Sequence, residues 1–108
     1  MNQYLIDFQN LKWEKPKDGV RHKVYIKDNH KIRLVEFSEG FFEKDWCTKG
    51  HIGYLLKGRL TMDFNGTKIL FKEGDGIFIP EGEESKHKAQ VENGETASLI
   101  LFEKVYKE

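Results

Sequence analysis

From residue 20 onwards, hydrophobic and polar positions alternate in short runs, and each run is closed by Gly, Asn, Asp or Pro. In residues 20–26 one face carries Val20, His22, Val24 and Ile26, and the other Arg21, Lys23 and Tyr25. In residues 59–64, Leu60, Met62 and Phe64 oppose Arg59, Thr61 and Asp63; in residues 86–91, His87, Ala89 and Val91 oppose Lys86, Lys88 and Gln90. A period of two puts successive side chains on opposite faces, so each run reads as a half-buried antiparallel strand. Residues 52–56 and 98–102 are apolar on both faces and read as central strands, or as strands that a second subunit covers. Asp28-Asn29-His30 and Asn65-Gly66 predict hairpins, Lys57-Gly58 a tight bend, and Asn93-Gly94 the last hairpin turn. Residues 15–19, with Pro16 and Gly19, read as a loop, and residues 4–8 as an edge strand. No run of a dozen residues carries a clean helical stripe, so the fold class is all-β, a small sandwich or barrel.

At 108 residues the chain has room for one domain. That domain is assigned to 1–108, with a barrel core over about 31–106 and residues 1–19 as an N-terminal arm. Basic and acidic residues balance at 18 each, with no aromatic-lined basic stripe. This argues against a nucleic-acid or anionic-membrane binder. Cys47 is the one cysteine, so no intramolecular disulfide framework forms. Neither a cationic start followed by an apolar run nor a bilayer-length apolar stretch is visible, and a soluble, cytoplasmic protein is expected.

Two glycine-anchored segments change the picture. Gly74, Pro80 and Gly82 are spaced as G-x5-P-x-G, a turn feeding a strand and then a sharp turn out of it. Upstream, Ile52-Gly53-Tyr54-Leu55-Leu56-Lys57-Gly58-Arg59-Leu60 has the form of a strand–turn–strand unit. Together they resemble the two motifs of the cupin superfamily. The resemblance implies a single jelly-roll β-barrel with a metal or small-molecule site at its open end.

The metal-ligand slots of that family carry other residues here. Counting back from Gly58, the glutamate slot falls on His51, and the histidine slots on Asp45 and Cys47, or on Lys44 and Trp46 with the longer spacing. In the second motif the histidine slot falls on Ser85 and the asparagine slot on Ala89. His87 lies two residues past Ser85, on the same face but about 6–7 Å further along a strand. Cys47, His51 and His87, with Asp45 or water as a fourth, make a chemically sensible ligand set for a divalent transition metal. Zinc suits a thiolate with two imidazoles best, with iron, nickel or manganese as alternatives. In that reading, reaching His87 requires a rearranged loop.

Each residue also has a plainer role. Cys47 fits a small buried hydrophobe, His51 a turn ligand, His87 an inward core residue and Asp45 a solvated loop acid. His22 reads as a hydrogen-bonded core or interface histidine, and His30 as exposed. Trp46 and Phe41-Phe42 read as core rather than as a lid. Two functions follow from the resemblance. One is a metal-binding pocket for a small polar ligand or substrate, with or without catalysis. The other is a metal-free ligand-binding or sensing module. A homodimer is expected from the two-faced strands, with residues 4–13 docking on the partner as an added strand.

Overall fold

The computed structural model describes residues 4–105. Eight strands account for most of them: β1 (Glu14–Lys17), β2 (Val20–Lys27), β3 (His30–Phe37), β4 (His51–Phe64), β5 (Thr67–Lys72), β6 (Gly76–Ile79), β7 (Lys88–Gln90) and β8 (Ala97–Lys104). Helix among the described residues is limited to two 3-10 turns, Phe8–Asn10 and Glu83–Ser85. All pairings are antiparallel, in the order β1-β2-β3-β8-β4-β5, with β6 and β7 also on β4. The all-β expectation holds, and the sheet curls on itself around one core.

The strand β4 makes the curl. Its first half pairs with β8 and β6, and its second half with β5 and β7. The change of partner falls at a register shift between Leu55 and Lys57, beside Gly58 at φ +84°. Lys57-Gly58 therefore follows a bulge at Leu56 inside one 14-residue strand, and is not a bend between two. An extra residue there increases the local twist and turns the strand from one sheet to the other. A side chain at Gly58 would overlap the Thr96 carbonyl, so both the φ and the close approach select glycine.

Inward positions follow the alternation. Leu60, Met62, Ala89 and Val91 are buried, as are Leu55, Leu99, Leu101, Val35, Ile77 and Ile79. The hairpins at Asp28-Asn29 and Asn65-Gly66 form as expected, with positive φ at both central residues (52° and 65°, 53° and 105°).

Other expectations are corrected. Residues 4–8 form no strand; Phe8 enters a 3-10 turn, and Lys23 Nζ donates to the Phe8 carbonyl. The edge strand is β1, in the segment read as a loop. Pro16 sits there without donating to a ladder, and the β1–β2 register is irregular around it. Both β1 and β2 belong to the sheet, so it begins well before residue 31. Ile26 lies at the open end of β2 and is exposed. Asn93-Gly94 does not close a hairpin, because β7 pairs with β4 while β8 pairs with β3 and β4; the turn crosses between sheets. Phe41 is core, but Phe42 is exposed, and Trp46 sits at the rim beneath the Lys86 and Lys88 ammonium groups, 5.3 and 4.5 Å from its ring centre.

Candidate metal centre

The loop from β3 to β4 runs beside β7 as an irregular extra strand. Val91 N–H donates to Phe41 O, Glu43 N–H to Ala89 O, and Gly82 N–H to Thr48 O. At Cys47 the pairing is reciprocal: Cys47 N–H donates to His87 O (2.9 Å) and His87 N–H to Cys47 O (3.0 Å). This bridge places Cys47 directly opposite His87. Ser85 is not on a strand with His87; it lies in the 3-10 turn that precedes it. The offset along a strand inferred from spacing therefore disappears, because the 3-10 turn absorbs it.

His51 opens β4. Its Nε2 is 3.8 Å from Cys47 Sγ, and its ring meets the His87 ring edge to face at 5.2 Å between centres. One donor atom from each of Cys47, His51 and His87 falls within 4.8 Å of the other two. Both imidazoles have their second nitrogen committed. His51 Nδ1–H donates to Glu103 Oε2 (2.6 Å), and His87 Nδ1–H donates to the Ser85 carbonyl (3.0 Å). That leaves Nε2 of each ring as the nitrogen facing the site, the usual arrangement of a metal-binding histidine. Asp45 lines the same cavity, but it is exposed and stands outside this group of three.

Glu103 and Arg33 complete the surroundings, and neither was singled out from the sequence. Arg33 Nε donates to Glu103 Oε1 and its terminal nitrogen to Oε2, both at 2.8 Å; the remaining terminal nitrogen donates to His22 Nδ1 at 3.1 Å. Such two-pronged pairing fixes the carboxylate plane. The signal was present in the alternation: Glu103 is in phase with buried Ala97, Leu99 and Leu101, and Arg33 with buried Val35. A charged residue on an inward face needs a partner, and here each is the other's. His22, read as a hydrogen-bonded core or interface histidine, is bonded to Arg33 but is half-buried and lies outside the core.

The charges follow from these contacts. Burial alone raises the Cys47 thiol, but hydrogen bonds with His51, His87 and the Lys49 backbone outweigh it and bring it down to about 6. Burial lowers His51, yet its bonds to Cys47 and Glu103 and their charges carry it up to about 9. Burial likewise raises Glu103, and the bonds and charges of His51 and Arg33 overcome that, leaving it at about 2. His22 is lowered by burial and by the Arg33 charge. Near neutral pH the centre is thus a thiolate–imidazolium pair backed by a carboxylate and a guanidinium.

The three donors could hold a divalent metal ion. Tetrahedral zinc separates thiolate and imidazole donors by roughly 3.4–3.6 Å. Closing the present spread requires a contraction of at most about 1.4 Å, within reach of small side-chain rotations. Above the centre lies a cavity of about 410 Å³, walled by Val35, Met62, Ile77, Leu99 and Leu101 and rimmed by Lys17, Glu43 and Trp46.

Comparison with known proteins agrees with this architecture. An RmlC-like cupin from Shewanella frigidimarina superposes with a TM-score of 0.78 at 15% identity, over 99% of this chain and 95% of that one. The polyketide cyclase RemF from Streptomyces resistomycificus gives 0.76 at 18% identity, over 96% and 86%. The Clostridium difficile EutQ protein gives 0.67 at 23% identity, over 92% and 74%. No curated protein matches the chain in sequence. The family model described as ethanolamine utilisation protein EutQ matches residues 4–101, and with the barrel described above it makes this chain a cupin of the EutQ family.

Proposed function

We propose that the barrel mouth is a divalent-metal centre held by Cys47, His51 and His87, zinc being the best match, and that it takes a small molecule at the open coordination position. The observation that carries this reading is the convergence of the three donors within 4.8 Å, with both imidazole Nδ1 atoms already committed elsewhere. A bound metal would act there as a Lewis acid toward an oxygen or nitrogen of the ligand. Glu103 holds the His51 ring in place and Arg33 holds Glu103. The structural likeness to a polyketide cyclase supports a small-molecule substrate, and the family's description supports a setting in ethanolamine utilisation. A cytoplasmic homodimer is part of the same proposal.

The test is bound metal per chain, by elemental analysis, in tag-free parent protein and in Cys47→Ser, His51→Ala and His87→Ala. The parent is expected to hold one ion and each variant to lose it. Loss in the first two but not in His87→Ala makes His87 a pocket residue rather than a ligand.

A second reading is a metal-free ligand-binding pocket. It is favoured by the charge pairing of Cys47, His51, Glu103 and Arg33 without an ion. Among the described residues no buried side-chain N or O lacks a hydrogen-bond partner. Absence of stoichiometric metal from the parent, with the pocket retained, selects this reading.

A further inference from the structure

We infer that the ligand of this pocket is amphiphilic: one oxygen donor of at most a single negative charge for the metal, joined to an apolar body of several carbons, and not a phosphate or a sugar. This rests on the metal reading above.

The first argument is charge. A divalent ion held by one thiolate and two neutral imidazoles leaves a net charge of +1 at the centre, since a coordinated thiol is deprotonated. Of the other cations that line the cavity, Arg33 and Lys17 are paired and Lys49 is exposed. Arg33 gives two donors to Glu103 and its third to His22, and its side chain is 17% exposed. Lys17 pairs with Glu43 at 3.1 Å, and the other Glu43 oxygen accepts the Ala89 N–H at 2.9 Å. Within the cavity no guanidinium is free to fork onto a dianion such as a phosphate monoester, and the remaining ammonium, Lys49, is exposed to solvent. Recognition of phosphate or carboxylate by Arg needs that planar fork free, and here a carboxylate of the chain already occupies it.

The second argument is the wall. Beyond the three donors, one side of the cavity is faced by Val35, Met62, Ile77, Ala89, Leu99 and Leu101, while its polar lining is Lys17, Arg33, Glu43, Asp45, Thr48 and Lys49. A sugar placed against the apolar side would leave several hydroxyls without hydrogen-bond partners, and each unpaired hydroxyl is costly. An alkyl chain meets the same surface with a gain for every methylene buried. At about 410 Å³ the space exceeds what a diatomic or a water needs and suits a compact organic molecule.

The experiment uses the full chain loaded with cobalt(II), whose thiolate charge-transfer and d–d absorption bands report the ligand at the metal directly. Acetate, butyrate and hexanoate are titrated alongside inorganic phosphate and glucose 6-phosphate. Affinity is expected to rise about three- to fourfold per methylene along the carboxylates. Both phosphates are expected to bind more weakly than butyrate. Bands that form but respond equally to all carboxylates, or respond best to a phosphate, overturn the amphiphilic ligand and leave the metal centre standing. Failure of the thiolate–cobalt band to appear overturns both.

Discussion

Glu103 touches no ligand position, yet it determines which nitrogen of His51 is free. Its carboxylate accepts a hydrogen bond from Nδ1–H at 2.6 Å and so leaves Nε2 facing the site. Replacing it with Gln keeps the shape but removes the charge that supports the imidazole and leaves the Arg33 guanidinium without its anion. Glu103→Gln is therefore expected to lower metal affinity by about 10–100-fold, measured by competition with a coloured chelator, with the strand signal in circular dichroism retained. Unchanged affinity would show that the carboxylate serves only Arg33. The Cys47–His51 pair also sets the direction of pH dependence. Between about 6 and 9 the thiol has already lost its proton and the imidazole still holds one. Metal binding in that window must expel the His51 proton, so affinity should fall about tenfold for each pH unit of acidification. Below about 6 the thiol is protonated as well, and the slope should steepen to about a hundredfold per unit. Metal titrations across a pH series check both slopes; a flat profile would place the ion elsewhere.

Among the elements, β4 carries the architecture, and Gly58 is its pivot. Any side chain there must adopt a left-handed backbone and also displace the Thr96 carbonyl. Gly58→Ala should cost at least about 2 kcal/mol, read from urea denaturation. The register past the bulge can be checked in the same assay. Leu60 is 1% exposed and points into the core, whereas Thr61 points the other way. Leu60→Ala should cost about 2–5 kcal/mol, and Thr61→Ala less than about 0.5 kcal/mol. Equal losses would place the bulge one residue away. The arm preceding β2 packs in part on its own sheet. Trp13 lies beneath the Arg21 guanidinium at 3.9 Å and near Lys23 at 5.0 Å, so this segment folds back over its own sheet.

On the scale of the whole molecule, the outward face of the main sheet is the conspicuous surface. Phe78, Ile52, Phe102 and Ile32 stand directly opposite one another across β6, β4, β8 and β3. Phe78 is 73% exposed, and Ile52 and Phe102 are about half exposed, with Tyr54 and Leu56 beside them on β4. In the proposed dimer, a contiguous apolar row of this kind is the surface for the second copy to cover. A second copy related by a two-fold axis would bury the same row on both subunits. Sedimentation equilibrium at micromolar concentration is expected to give a dimer, and Phe78→Asp with Phe102→Asp a folded monomer. A monomeric parent ends the dimer proposal without affecting the metal centre.

The parts of the fold legible in the chain are those governed by neighbours in sequence. Alternation assigned Leu60, Met62, His87, Ala89 and Val91 to the interior, because the pleat gives each residue a face whatever its strand pairs with. Asp28-Asn29 and Asn65-Gly66 tolerate the positive φ that a two-residue hairpin requires. The choice of pairing partner is not local, and there the reading failed. Gly58 has the same backbone preference beside a bulge as in a bend, Asn93-Gly94 the same in a crossover as in a hairpin, and Pro16 the same on an edge strand as in a loop. The candidate site divides along the same line. Cys47, His51 and His87 were recognisable as donors from their chemistry and spacing. Their convergence depends on a reciprocal bridge between Cys47 and His87 and on the 3-10 turn at Glu83–Ser85. Glu103 is separated from His51 by 52 positions and Arg33 from Glu103 by 70, so no spacing rule connects them. They meet because β8 lies between β3 and β4, an order chosen by the burial of the whole core rather than by any segment of it.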